Sequence, residues 1–186
     1  MTKLLRLFFV VLLITLSSTA CGLPDPSGKP DFPVVGLITA QELPDGFVRR
    51  EYVTENVPNA EGLAIGFVVP DGSKFPPVRV SHYLSVYADE KSAQAEYPAR
   101  EKEEFPVDEW KTPDGFHFKP TDSGDLYRFA CVPGYFNGTD LLMCRYIQQH
   151  DNKISQVLAN LDGQHLKMED MERILKSVDG RLLIAK

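Results

Sequence analysis

The sequence predicts an α+β domain in which an antiparallel sheet carries two main helices packed on one face. Three observations lead to this fold class: short β-prone runs of alternating hydrophobicity, tight-turn signals between them, and a helical segment after each set of strands. Strands that come in sets before a helix favour an antiparallel sheet. Because the strands-then-helix order occurs twice, a loose duplication of that unit is a further hypothesis.

The first set of strands precedes a helix that begins at Asp89. Residues 34–38 predict a short strand, and Thr39 is the N-cap of one helical turn that Pro44 stops. The further β-prone runs are residues 47–54, 62–69 and 78–87. In the last run, polar and aromatic residues share one face, which predicts contact with water (Ser81, Tyr83, Ser85 and Tyr87).

The first helix and the second set of elements follow the same kind of signals. Asp89 caps a helix to about Phe105, and Pro98 is expected to kink or split it. The later predicted strands are residues 116–120, 125–131, 141–150 and 153–161. The last of these fits helical spacing as well, but its place after the Asp151-Asn152 turn favours a strand. A second helix is predicted from Met168 to Asp179, ending at Gly180.

The strongest local signal is Asn137-Gly138, because a two-residue type I′ turn needs positive φ at both central positions. A hairpin centred on this turn pairs Cys131 directly with Cys144. Counting outward places both at a non-hydrogen-bonded position, where Cα atoms approach to about 4.5 Å. Pro133 also falls at a non-bonded position, where its missing N–H breaks no ladder bond. The register therefore predicts a disulfide between Cys131 and Cys144.

Metal binding, redox chemistry and unpaired thiols are the alternatives for this cysteine pair. A zinc site needs four ligands with closely spaced pairs, and a redox dithiol usually has the Cys-x-x-Cys spacing. The sequence has neither pattern, so no metal and no cofactor are predicted, and two buried free thiols are the main alternative. A disulfide indicates an oxidising compartment outside the cytosol.

The N-terminus carries the signal that export requires. Lys3 and Arg6 precede an apolar run from Leu7 to Leu16, and small residues follow it. The run is shorter than the roughly 20 residues that span a bilayer. The stretch Ser17-Ser18-Thr19-Ala20-Cys21 resembles the lipobox of bacterial lipoproteins, in which the cysteine is acylated and becomes the first mature residue. The resemblance covers residues 1–21 only.

This resemblance implies a signal peptide over residues 1–20 and acylation of Cys21, with palmitate among the chains. Ordinary secretory cleavage and an uncleaved anchor are the alternatives. Lipidation also gives a role to the cysteine that the predicted disulfide leaves unpaired. Residues 22–33 are rich in proline and predict a semi-rigid spacer of up to roughly 35 Å. With Cys21 they precede a single globular domain, residues 34–186.

The charge of the mature chain limits its partners. Loss of residues 1–20 removes Lys3 and Arg6 but no acid, so the formal net charge changes from −6 to −8. An acidic domain does not attract nucleic acid or anionic lipid headgroups. We therefore expect the N-terminal lipid to make the membrane contact in the cell envelope, and an envelope protein to be a partner.

Four histidines are the natural candidates for acid–base chemistry. His82 falls on the apolar face of its strand and is expected to be a hydrogen-bonded core residue. His117, His150 and His165 are expected at the surface. A hydrolase that uses His82 or His117 with acids from neighbouring strands is the enzymatic alternative. The sequence has no nucleophile elbow, phosphate loop or His-x-x-x-His pair, so enzymatic activity is not favoured.

Aromatic residues in predicted loops are the candidates for binding. Trp110 lies between Pro106 and Pro113, and Tyr135 and Phe136 lie beside the hairpin turn. Exposed aromatic residues often anchor interfaces, whereas folding back over the sheet edge is the alternative. The sequence thus predicts a non-enzymatic binding or accessory lipoprotein of the bacterial envelope. An apolar pocket between sheet and helices would instead indicate a carrier of a small apolar ligand.

Overall fold

A computed structural model describes residues 34–50 and 52–185, and it shows a mixed α+β fold dominated by one seven-stranded antiparallel sheet. The strands are β1 (Val48–Arg49), β2 (Val53–Glu55), β3 (Ala60–Val68), β4 (Arg79–Tyr87), β5 (Leu126–Phe136), β6 (Thr139–His150) and β7 (Lys153–Leu161). The α-helices are α1 (Glu90–Glu104) and α2 (Met168–Ile184), and two 3₁₀ turns come first (Val34–Gly36 and Ala40–Glu42). The predicted signal peptide, the lipidated Cys21 and the spacer lie outside the described residues.

The sheet is built from two hairpin sets that meet at β4 and β7. Its strand order is β1-β3-β4-β7-β6-β5, and β2 pairs with β3 as well. In the pairing of β4 with β7, Val80 lies opposite Ala159. The predicted strand at residues 153–161 is therefore confirmed, and it occupies the centre of the sheet. The strands-then-helix order occurs twice along the chain, and the duplication itself stays a prediction.

The β5–β6 hairpin has the predicted register. Asn137 and Gly138 form its turn with φ of 49° and 82°. Cys131 lies opposite Cys144, and the two form a disulfide. The pairing that local turn chemistry predicts is thus confirmed across the whole length of both strands.

The two helices lie on opposite faces of the sheet. Consecutive residues of a strand point to opposite faces, so Tyr146 and Ile147 on β6 mark the two sides. α2 contributes Ile174 to the apolar cluster that contains Tyr146, whereas α1 contributes Tyr97 to the cluster that contains Ile147. The prediction that both helices pack on one face is therefore wrong. Amphipathic spacing shows that a helix has an apolar side, but not which face of the sheet receives it.

Two segments predicted as strands have other structures. Residues 34–38 contain a 3₁₀ turn, where Gly36 packs so closely that an added Cβ would lie 2.7 Å from Leu84. Residues 116–120 have no regular secondary structure. Phe116 stacks on Phe129 of β5 with ring centres 3.9 Å apart. This loop therefore packs apolar side chains against the sheet without forming a strand of it.

The helices differ from the prediction mainly in where they end. Asp89 caps α1 as predicted, because its carboxylate accepts from the N–H of Ser92 at 2.8 Å. α1 is one uninterrupted helix despite Pro98. α2 continues past Gly180, since the buried Leu182 extends its apolar side. Within the described part of the chain, neither helix has the length and apolar character needed to cross a membrane.

Candidate functional site

A polar groove opens on the face of the sheet that α1 covers only in part. Its floor is formed by β3, β4 and β7, and its walls are β2 and the C-terminal half of α1. Two adjoining hollows of about 240 and 180 Å³ form the groove and share Glu55 and Tyr83. We call it the α1-side groove and define it by the residues Glu55, Tyr83, Ser85, Arg100, Glu104 and Gln156.

Small residues on the central strands make room for the groove. Gly66 on β3 lies opposite Ser81 on β4, and both line the second hollow. Tyr83 stands between Ser81 and Ser85 on the same face of β4. Ser81, Tyr83 and Ser85, which the sequence places in contact with water, therefore line the groove. Ser85 is nevertheless only 2% exposed, and α1 buries Tyr87.

The wall formed by α1 presents a carboxylate held in one position. Arg100 and Glu104 are one helical turn apart, so both face the groove. Glu104 Oε2 accepts from Arg145 Nη1 at 3.1 Å, and its Oε1 accepts from Gln156 Nε2 at 3.1 Å. Arg145 Nη1 also donates to the main-chain carbonyl of Glu104 at 2.7 Å. The end of α1 is thus joined to β6 and β7.

The electrostatics of Glu104 reflect this half-buried position. Burial raises the pKa of the Glu104 carboxyl, while the positive charges of Arg145 and Arg100 oppose that rise. Two fixed donors orient the carboxylate, and each of its oxygens keeps a further lone pair that can accept from a ligand. It is poorly suited to proton transfer, because both of its oxygens are already engaged.

Trp110 packs against the end of α1 that forms the groove wall, and it is not an exposed binding residue. Its side chain is buried in the cluster that contains Ile147. The ring packs edge to face against Phe105 at 5.7 Å, and the Arg145 guanidinium lies 4.8 Å from its centre. The prediction of Trp110 as an exposed binding residue is therefore wrong, and folding back over the sheet is what occurs. The loop between two prolines gave no signal of this burial.

Tyr135 and Phe136 lie at the hairpin tip, away from the groove. Tyr135 is 71% exposed, whereas Phe136 is half-buried beneath the guanidinium of Arg79 at 5.6 Å. The tip is tied to the β3–β4 loop by Asn137 Nδ2, which donates to the carbonyl of Phe75 at 2.8 Å. The three predicted aromatic residues therefore do not form one site.

His82 is a core residue, as the sequence predicts. Its Nδ1 accepts from the N–H of Ile38 at 3.1 Å, so the hydrogen is on Nε2, which donates to Ser155 Oγ at 2.8 Å. Burial lowers the pKa of His82 to about 3, and the charge of Arg181 adds to that effect. The imidazole is therefore neutral and structural.

His150, in contrast, is buried rather than at the surface. Its Nδ1 lies 2.9 Å from Asp125 Oδ1, and Gln148 Nε2 donates to Asp125 Oδ2 at 2.6 Å and to Asp179 Oδ1 at 2.8 Å. Together with Asp122, His150 and Asp125 are the set in the described ranges that could hold a metal ion. Both oxygens of Asp125 are already hydrogen bonded, which favours a structural polar network over a metal site.

His117 does not pair with an acid. It is exposed in a polar hollow of about 460 Å³ that Glu172 and Asp179 also line. Glu172 Oε1 accepts from the main-chain N–H of His117 at 2.7 Å, and Asp179 Oδ2 accepts from the hydroxyl of Thr121 at 2.6 Å. These carboxylates bind main-chain and hydroxyl groups rather than the imidazole. The geometry of His82 and His117 therefore does not favour the hydrolase.

An apolar surface groove of about 460 Å³ lies between the β5–β6 hairpin and the start of α2. Leu142, Leu161 and Met168 are among its lining residues. It is the feature closest to the apolar pocket that a carrier would need, although it opens to solvent instead of lying between sheet and helix. No family model matches the sequence, and a search of curated proteins finds no significant match.

Proposed function

We propose that this protein is a lipid-anchored, extracytoplasmic binding domain of the bacterial envelope, which acts as an accessory lipoprotein and not as an enzyme. The Cys131–Cys144 disulfide supports an oxidising compartment. The lipobox-like segment that ends at Cys21 supports a lipid anchor on the first mature residue. Because the chain is acidic, its charge does not attract it to anionic lipid headgroups, so the lipid on Cys21 is what attaches it to the membrane.

The observation that carries the binding role is the α1-side groove, whose polar groups are held in place by their neighbours. Glu104 has its position set by Arg145 and Gln156. A ligand that meets preorganised groups loses less conformational entropy on binding than one that must order them. Concave sites with a few converging polar groups are also the usual form of a ligand site.

The anchor is tested by replacing Cys21 in the full chain. We expect the wild-type protein in the membrane fraction, with an acylated N-terminal cysteine in its mass spectrum. Cys21→Ser should move it to the soluble extracytoplasmic fraction, whereas Cys131→Ser/Cys144→Ser should stay with the membrane. An unmodified mature N-terminus in the wild type would refute the anchor.

The groove is tested by placing a photoreactive phenylalanine analogue at Tyr83 in intact cells. The matched control is Tyr127, which is also partly exposed but lies on the opposite face of the sheet. We expect a light-dependent adduct at Tyr83 that Arg100→Ala weakens, and none at Tyr127. Equal labelling at both positions, or none at Tyr83, would remove the groove as the binding site.

A second candidate function is a carrier of a small apolar ligand, which the apolar groove beside Leu142 and Leu161 favours. A fluorescent fatty-acid probe would then bind the protein, and Leu142→Asp would abolish the signal. Tyr135→Asp, at the exposed tip of the same hairpin, is the control. Unchanged probe binding in Leu142→Asp would exclude the carrier.

A further inference from the structure

We infer that the α1-side groove binds a neutral saccharide chain. Such a ligand carries hydroxyl groups around its rim and apolar C–H surfaces on the faces of its rings. The inference rests on the proposed function, because it names the ligand class of the same groove. Three properties of the groove lead to it: its charge, its floor, and the pairing of the central strands that form that floor.

The charges of the groove cancel. Arg50 and Arg100 line it together with Glu55 and Glu104, so the formal charges sum to zero. A strongly anionic or cationic ligand would meet as many like charges as opposite ones. Guanidinium and carboxylate groups are also forked donors and acceptors, which suits pairs of neighbouring hydroxyls that both donate and accept. The lining therefore fits a polar ligand without net charge.

The floor supplies an aromatic platform with polar groups around it. Tyr83 is half-buried and is shared by the two hollows, so its side chain borders both of them. The C–H face of a sugar ring packs on an aromatic ring, as apolar groups generally do. Arg100 and Glu104, in the α1 wall of the larger hollow, are the polar groups that can reach the hydroxyl rim, since Ser85 and Gln156 are almost fully buried. Two adjoining hollows with one central ring favour a chain of at least two sugar units.

A peptide fits the groove less well. Extended peptides bind mainly by adding a strand to a free sheet edge. β4 pairs on both sides, and β1 and β2 cover β3. Along the outer edge of β5, Lys111 pairs with Cys131 and Thr112 Oγ1 donates to the carbonyl of Phe129. The central floor strands β4 and β7 therefore have a partner strand on each side, so side chains are what this part of the floor offers a ligand.

The experiment is calorimetric titration of the Cys21→Ser chain, which lacks the acylation site and keeps every described residue unchanged. The probes are the neutral tetrasaccharides chitotetraose, cellotetraose and maltotetraose, with tetragalacturonate as the anionic counterpart. We expect at least one neutral probe to bind and tetragalacturonate to bind more weakly. Tyr83→Ala should weaken binding about tenfold or more, and Tyr83→Phe should keep it, because the ring is retained. Tyr127→Ala, on the opposite face, should bind like the parent chain.

The inference is overturned if no neutral probe binds at millimolar concentration, if the protein prefers tetragalacturonate, or if Tyr83→Ala binds with unchanged affinity. Far-ultraviolet circular dichroism of each variant separates lost binding from lost folding. If Tyr83→Ala does not fold, Arg100→Ala, which removes another lining side chain and should also weaken binding, gives the answer. If the probes fail while the photoreactive analogue at Tyr83 still forms an adduct in cells, the saccharide is excluded and the proposed function stands.

Discussion

The guanidinium of Arg145 lies over the ring of Trp110, 4.8 Å from its centre, while its Nη1 donates to Glu104 at 3.1 Å. Trp110, the only tryptophan of the chain, therefore helps to hold the Glu104 carboxylate at the α1-side groove through its contact with Arg145. Cation–π packing orients a long side chain that would otherwise have considerable rotamer freedom. The geometry of the groove thus depends on a residue that does not line it.

Trp110→Ala should lower the free energy of unfolding by about 3–5 kcal/mol, because it leaves a large cavity in the cluster shared with α1. The control is Tyr135→Ala, since Tyr135 is mostly exposed and its loss should change stability by no more than about 0.5 kcal/mol. Urea unfolding measures both. In the wild type, the tryptophan emission should be blue-shifted and poorly quenched by acrylamide; rapid quenching would contradict the burial.

Reduction of the Cys131–Cys144 disulfide should lower the free energy of unfolding by about 3 kcal/mol, since it releases a closed loop within the hairpin. Cys131→Ala/Cys144→Ala should behave like the reduced protein and should no longer respond to reductant. Alkylation of the native wild type should leave both cysteines unmodified. An unfolding midpoint that reductant does not move would count against this stabilisation.

The free energy of unfolding should decrease as the pH is lowered below the pKa of an unfolded histidine, because His82 is harder to protonate in the folded state than in the unfolded state. Its folded pKa, about 3, is lower than its ordinary value of 6.5, so the unfolded state takes up the proton first. The stabilising contribution is therefore complete above pH 6.5 and is lost as the pH falls toward 3. Between about pH 4 and 5.5 the slope from this group approaches about 1.4 kcal/mol per pH unit.

The variant that checks this pH dependence is His82→Asn, which keeps a donor and an acceptor without a titrating ring. It should be less stable at neutral pH, and its stability should depend on pH less steeply than that of the wild type. Urea unfolding over a pH series gives the difference between the two slopes, which cancels the other histidines. Equal slopes would show that His82 is not the titrating group.

Gly62→Ala should destabilise the wall formed by β2. A Cβ at Gly62 would lie 2.7 Å from side-chain atoms of both Glu55 and Val57, so β2 must shift. We expect a loss of about 1–3 kcal/mol, as for other overpacked sites. Gly66→Ala is the matched control on the same face of β3, where the nearest atom, of Arg50, is 3.7 Å away. If the two variants unfold at the same urea concentration, the close packing of β2 on Gly62 is wrong.

Local turn and strand signals predicted the sheet well, because their information lies in neighbouring residues. Asn137-Gly138 set the register that brings Cys131 opposite Cys144, and the turn at Asp151 made residues 153–161 a strand. The facing of the helices was not predictable, since it depends on the path of the long connection between β4 and β5. The sequence predicts a strand where Phe116 lies in a loop, because a side chain can reach the core from either structure.

The groove was predictable only in part, because most of its residues are far apart in the sequence. The alternation along β4 indicated the water-facing Ser81 and Tyr83. Nothing local connects these residues to Glu104 or Gln156, which a helix and a distant strand bring to the same place. His150 is a different case: the hairpin register that pairs Leu126 with Gln149 also brings Asp125, the residue before β5, next to His150, but the burial of this pair leaves no local signal in the sequence.

The position of β4 between β3 and β7 has a consequence for biogenesis. If the chain is exported as proposed, it emerges amino end first, so β4 is outside well before its second neighbour arrives. We expect the nascent domain to remain open until almost all of it has been delivered, because nonlocal strand pairing is slow. A premature stop before Lys153 would leave β4 with a bare hydrogen-bonding edge, the kind of surface that recruits other chains into aggregates.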